Sequence, residues 1–268
     1  MLTCMVRYLL STLALALPAL AQLPSPNSQG VSAGHHIFST RDLEAANRFW
    51  STLGGEPATL GPLKLIKFPG VLFLVRKGEP SGGTEGSTID AIGFRVRSLK
   101  ESLQKWEAGG IKLASASTAK ETFSKAAWLI GPDGVKVYVT EDKKLSTPIA
   151  CAELRMAVPH PEEAAAWYAK YFGAIPVKRG KQTLGDIPGA QLVFVQSAAD
   201  VKGTKGRAFD RIGLEVQNLE EAVKRLDGSG AKFDGAIRKA TNMALSVAVL
   251  TDPWGTYIEI SQGLAAVK

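Results

Sequence analysis

The stretch Asp90-Ala-Ile-Gly-Phe-Arg-Val96 returns as Asp210-Arg-Ile-Gly-Leu-Glu-Val216, an offset of 120 residues. Each copy alternates: Ile92, Phe94 and Val96, like Ile212, Leu214 and Val216, fall on one side of an extended strand, and the other side is small or polar. The repeat continues outward from these strands. Leu99 and Leu103 match Leu219 and Val223, and Pro132-Asp-Gly134 matches Pro253-Trp-Gly255. Pro69-Gly70 before Val71 to Val75 matches Pro188-Gly189 before Leu192 to Val195, and Phe49-Trp50 matches Trp167-Tyr168. A fixed period over most of a chain means one structural unit used more than once.

Each half divides again. His35 to Thr40 reads as a strand, Asp42 caps a helix through Leu53, and Gly54-Gly55 stops it. Leu63 to Phe68 and Val71 to Val75 are strands about a Pro-Gly turn. The order recurs with a strand at Ala91 to Val96, a helix from Ser98 to Ala108, a strand at Ile111 to Ser115, and a hairpin of Ala126 to Ile130 and Val135 to Thr140. Pro161, followed by Glu162 and Glu163, starts a helix in the second half. The unit is a strand, a helix and two or three strands, used four times. The expected fold class is α+β.

Before this repeat, Leu9 to Leu17 is largely apolar, Pro18 interrupts it, and Ala19-Leu20-Ala21 is a small-x-small site. Residues 1–21 read as a cleaved secretory signal, because the apolar run is short of the roughly 20 residues a bilayer span needs. The expectation is an exported protein, periplasmic or secreted, with no membrane attachment afterwards. Cys4 would leave with the leader, so Cys151 alone remains and makes no internal disulfide. Of the 268 residues, 32 are Lys or Arg and 25 Asp or Glu, a net charge of +7. No run of four basic residues occurs, so the surplus suits anionic ligands without arguing for nucleic acid. The expected divisions are 22–33 as linker, 34–142 as a first domain, 143–150 as linker, 151–262 as a second domain and 263–268 as tail.

The order resembles the βαβββ module of the vicinal oxygen chelate superfamily, which includes glyoxalase I, extradiol dioxygenases and bleomycin-resistance proteins. The motifs that carry the resemblance are His35-His-Ile-Phe-Ser-Thr-Arg-Asp-Leu43, the two Ile-Gly strands, and hairpins ending Val135-Lys-Val-Tyr-Val139 and Tyr257-Ile-Glu-Ile260. It covers about residues 34 to 262 and implies four modules forming two tandem glyoxalase/bleomycin-resistance-like domains. It implies a scaffold, not one reaction.

Alternation sorts the strand faces. The sides opposite the apolar ones carry Arg95, Lys136 and Tyr138, Glu153 and Arg155, Arg211 and Glu215, Tyr257 and Glu259, with His35 on the open face of the first strand. Within the second half, Glu153, Arg155, Arg211, Glu215, Tyr257 and Glu259 are the expected pocket, its arginines pairing an anionic group. Within the first half, His35, Arg95, Lys136 and Tyr138 are a second.

The resemblance also implies where a divalent metal would sit: at the start of each module's first strand and at a Glu in a last strand. Those positions here are His35, Ala91, Glu153 and Arg211, with Tyr138 and Glu259 in the last strands, and only apolar residues near Phe73 to Leu74 and Phe194 to Val195. The set is incomplete, and a guanidinium has no lone pair for a cation. Glu259, His35 and Glu153 remain the metal candidates, for manganese, iron, nickel or zinc. A catalytic metal is not the favoured reading.

His36 reads as packed and His160 as a helix-start residue, while Trp50, Trp167 and Tyr168 have core spacing. No Gly-rich phosphate loop or nucleophile elbow is present. Three functions remain. The leading one is a protein that binds a small anionic molecule in a polar sheet cleft without a catalytic metal. The alternatives are a metal-dependent glyoxalase-like lyase or dioxygenase using Glu259 with His35 or Glu153, and a non-catalytic scaffold. Catalytic residues, substrate and the choice between monomer and homodimer stay open.

Overall fold

A computed structural model describes residues 23–114, 126–197, 201–264 and 267. The expected leader lies outside the described residues. The chain is α+β. The first module runs β1 (Val31–Thr40), α1 (Leu43–Leu53), β2 (Glu56–Leu60), β3 (Leu63–Phe68) and β4 (Val71–Lys77). The second has β5 (Ile89–Val96), α2 (Leu99–Ala108), β6 (Ala126–Ile130) and β7 (Lys136–Glu141). The strand expected at Ile111 to Ser115 is a single bridge, Leu113 to Leu129, within the described residues. The third has β8 (Ile149–Val158), α3 (Pro161–Phe172), β9 (Ile175–Arg179), β10 (Gln182–Ile187) and β11 (Ala190–Gln196). The fourth has β12 (Phe209–Val216), α4 (Leu219–Arg225), β13 (Lys232–Phe233), β14 (Arg238–Lys239), β15 (Ser246–Thr251) and β16 (Tyr257–Gln262).

The helices start where side chains can satisfy their free amides. Asp42 accepts from the Ala45 amide at 2.9 Å, and Asn218 from that of Glu221 at 3.1 Å. His160 occupies the cap of α3 without a side-chain hydrogen bond, and Pro161 follows it. None of the described helices is long and apolar enough to cross a membrane.

The modules pair across the chain rather than within its halves. β1 runs antiparallel to β12, which joins the first and fourth modules in a nine-stranded sheet. β5 runs antiparallel to β8, which joins the second and third in a seven-stranded sheet. The residues between Leu23 and Gly30 are docked rather than loose. Asn27 Nδ2 donates to Phe172 O at 2.8 Å, and β1 already begins at Val31, inside the expected linker. β8 likewise begins at Ile149, inside the second expected linker.

The apolar faces of both sheets meet one core. Ile92, Phe94, Leu154, Met156, Ile212, Leu214, Ile258 and Ile260 share it with Trp50, Trp106 and Tyr168 from the helices. Phe38, Phe73 and Phe94 pack about Trp50 with ring centroids 4.9, 5.0 and 6.4 Å away, and Phe68 packs on Phe73 and Phe94. Burying a large ring contributes on the order of 2–3 kcal/mol, so this cluster is a main source of stability. The opposite faces are left for the polar residues that alternation assigned to them.

The two Ile-Gly strands owe their glycines to close approach. A Cβ on Gly213 would stand 2.3 Å from His35 Nδ1 and 2.4 Å from His35 O. A Cβ on Gly93 would stand 2.7 Å from Glu153 Cβ. In each sheet the glycine lets the facing side chain of the neighbouring strand lie across the open face.

Candidate functional site

The β1–β12 ladder fixes the geometry. His35 faces Gly213 and Ile37 faces Arg211, while β16 lies on the other side of β12 with Glu259 beside Gly213. These contacts bring His35, from near the start of the chain, onto Glu259 from near its end. His35 Nε2 and Glu259 Oε1 are 3.0 Å apart. A carboxylate only accepts, so Nε2 carries the hydrogen. Arg211 Nη1 donates to Glu259 Oε2 at 2.9 Å and Nε to Asp210 Oδ2 at 2.7 Å. Burial would raise the Glu259 pKa. The hydrogen bond from His35 and the charges of His35, Arg211 and Arg76 outweigh it and hold the carboxyl at about 2.

Tyr257 closes one side. Its ring is 4.5 Å from the Arg211 guanidinium and 4.8 Å from Lys205 Nζ, and its hydroxyl donates to Asp234 at 2.6 Å. Beside this cluster lies a cavity of about 380 Å³. Its wall is mostly apolar: Leu60, Leu65 and Leu72 are buried, and Leu63, Leu74 and Met243 half-buried. Arg76, Arg238 and Lys239 also line it, and all three are exposed. The cavity is therefore apolar within and cationic at its mouth.

The remaining predicted residues do not join this cavity. Glu215 is held elsewhere, accepting from Ser261 Oγ at 2.7 Å and from the amides of Gly263 and Leu264 at 2.7 and 2.9 Å. It anchors the start of the expected tail. Glu153 and Arg155 belong to the other sheet, with Arg95, Lys136 and Tyr138. The expected grouping by sequence halves is corrected by the strand pairing: His35 goes with Arg211, Tyr257 and Glu259, and Glu153 with the first-half residues.

On the seven-stranded sheet the open face is packed by its own side chains. Arg155 is 5% exposed, its guanidinium 5.2 Å from the Tyr138 ring and 5.9 Å from that of Trp128. The two rings are 4.8 Å apart. Lys136 Nζ pairs with Asp90 at 2.8 Å, and Arg95 reaches Glu153 at 3.5 Å.

The metal positions implied by the resemblance can now be tested. Rotation about the β1–β12 axis exchanges His35 with Arg211 and Ile37 with Gly213. Leu74, beside Ile37, is thus the counterpart of Glu259. Two of the four positions, His35 and Glu259, carry donors. The third holds a guanidinium already bonded to Glu259, and the fourth a leucine. In the other sheet the four positions are Ala91, Tyr138, Glu153 and Val193. No group of three His, Cys, Asp or Glu able to hold a metal occurs among the described residues. This donor chemistry does not fit a resident divalent ion.

Two other candidates have structural places. His36 points into the core against Phe73 and Phe209, and burial together with the neighbouring His35 lowers its pKa to about 3. Cys151 is buried, and burial with the Glu153 charge raises its thiol far above the range of a nucleophile. Reasoning from sequence missed Arg76, Arg238, Lys239 and the leucine wall. Alternation along β4, which puts Leu72, Leu74 and Arg76 on one face, is the signal that finds Arg76.

Residues 150–260 match the model of the Glyoxalase/Bleomycin resistance protein/Dioxygenase superfamily. No curated protein matches this sequence. Among solved structures, glyoxalase I from Zea mays is similar with a TM-score of 0.68 at 12% identity, covering 88% of this chain and 93% of that one. A putative dioxygenase from Bacillus subtilis is similar with a TM-score of 0.64 at 12% identity, covering 92% of this chain and 88% of that one. Identities this low speak for the shared fold alone.

Proposed function

We propose, from the premise that this chain is a member of the glyoxalase/bleomycin-resistance/dioxygenase superfamily, that it binds a small organic anion in the cavity between its first and fourth modules. No catalytic metal takes part in this reading. The observation that carries it is Arg211. Its guanidinium occupies one of the four positions where the resemblance implies metal ligands, is bonded to the Glu259 carboxylate there, and lines the cavity. A guanidinium in that position disfavours a cation, and the cations at the cavity mouth, Arg76, Arg238 and Lys239, attract and orient ligand oxygens.

The test is a thermal-shift titration of purified, tag-free protein against a panel of organic anions, with metal content measured on the same sample. Saturable stabilisation by an anion on metal-free protein supports the reading. No stabilisation by any anion ends it. A second reading, the metal-dependent lyase or dioxygenase, is favoured by one observation: His35 and Glu259 meet at 3.0 Å. Stoichiometric metal bound to these two residues, lost in Glu259→Gln, would replace the first reading with it.

A further inference from the structure

The charges around the cavity do not balance. Of the four arginine and lysine side chains that line it among the described residues, Arg211 is met by Asp210 and Glu259. Arg76, Arg238 and Lys239 make no ion pair or side-chain hydrogen bond to any described residue, although Arg76 feels the fields of Glu259, Arg211, Asp210 and Arg238. Among the described residues Glu259 is the only carboxylate in the lining, and it is already bonded on both oxygens. Among the described residues, three cations at the mouth therefore lack a paired carboxylate.

The interior has the opposite character. Leu60, Leu63 and Leu65 from the β2–β3 hairpin, Leu72 and Leu74 from β4, and Met243 present hydrocarbon. A hydrophilic dianion or trianion would leave these groups unused and lose its water shell for little return. A neutral hydrocarbon would fill the interior and leave the cations unmet. At ~30 Å³ for each water-sized volume, the cavity holds about a dozen non-hydrogen atoms.

Resting on the anion-binding reading above, we infer that the ligand is an amphipathic carboxylate of about decanoate size, its hydrocarbon body among the leucines and its head group at Arg76, Arg238 and Lys239. Each buried methylene should tighten binding about fourfold, so affinity rises with chain length until the cavity is full. The head group adds a charge-assisted bond in a forked geometry that arginine provides.

The experiment is isothermal titration of the full chain with acetate, hexanoate, decanoate, decanol and citrate, at low and moderate salt. The expected result is saturable decanoate binding at one site, hexanoate at least tenfold weaker, and neither acetate nor decanol binding measurably. Citrate binding in place of decanoate overturns this inference and leaves the anion reading standing. Decanol binding as tightly as decanoate also overturns it, because the cations then contribute nothing. Failure of every anion removes both. Arg76→Gln should weaken decanoate about tenfold and flatten its salt dependence. Lys239→Gln serves as a second variant if the first melts early, and unchanged affinity in the folded variants places the ligand elsewhere and overturns the assignment.

Discussion

In the nine-stranded sheet Glu259 lies between His35 and Arg211, with a cavity beside them. In the seven-stranded sheet the residue at the place of Glu259 is Tyr138, that at the place of His35 is Glu153, and that at the place of Arg211 is Ala91. An arginine is present there too, but at Arg155, the counterpart of Ile37. Moved across the ladder, the guanidinium stacks on Tyr138 and Trp128 instead of bridging a carboxylate. The backbone plan is the same in both sheets. Where the arginine stands decides whether the open face carries an ion cluster beside a cavity or packs on itself, so the scaffold alone does not assign a site.

Five substitutions and a pH series would break or sharpen that contrast. The largest effect is expected at the two close glycines. Gly213→Ala forces its methyl into His35, both ring and carbonyl, and should cost roughly 4 kcal/mol in chemical denaturation. Gly93→Ala meets a side-chain methylene and should cost about 2 kcal/mol. Equal costs would mean that the His35 contact is no tighter than its counterpart.

Acid should then act on one sheet through Glu259. Its folded pKa of about 2 lies below the ordinary glutamate value, so the stabilisation is complete above about pH 5 and is lost as pH falls toward 2. The loss should reach about 3 kcal/mol, and Glu259→Gln should remove that part of the pH dependence. Asp252 works the other way. Burial raises its pKa to about 6, against hydrogen bonds from Tyr168, Thr256 and Trp254, so protonation between about pH 6 and 4 favours the fold. A stability curve that falls steadily from pH 7 would contradict the pair.

Tyr138→Leu in the packed sheet should cost about 1.5 kcal/mol, from lost ring contacts with Trp128 and Arg155. A ligand-like additive that stabilises this variant and not the parent would show that the stack is what closes the face. Arg95→Gln should cost about 0.5 kcal/mol, because its pair with Glu153 is long and partly in water. Both are read by denaturant midpoints.

The sequence made the strand faces legible, because alternation is local: Ile92, Phe94 and Val96 could only share one side. It made the unit legible through its period. It did not make the partnership of modules legible, since nothing near His35 says that Arg211, rather than Ala91, lies across the ladder. The leucine wall was hidden for another reason. Leu65 and Ile66 are both buried, on opposite faces of β3, so alternation there separates nothing. A further repeat lies in the loops, where neither strand alternation nor helical spacing marks it. Gly83-Thr-Glu-Gly86 and Gly203-Thr-Lys-Gly206 place Thr84 and Thr204 under the two hairpins, where their hydroxyls accept the amides of Lys136 and Tyr257 at 2.9 Å.

The pairing of first with fourth and second with third modules nests one sheet's closure inside the other's in chain order. β5 and β8 are joined by the shorter loop of chain, so the seven-stranded sheet can form as soon as the third module exists. β1 must hold its place until β12 and β16 arrive, which makes the ladder between Ile37 and Arg211 a late, long-range event with a large entropy of closure. Until then β1 presents an open edge, and β4 an uncovered pair of leucines, to any other chain nearby. During synthesis, the hazard of mispairing lies with the first module, and it ends when the last strand completes the sheet that lines the cavity.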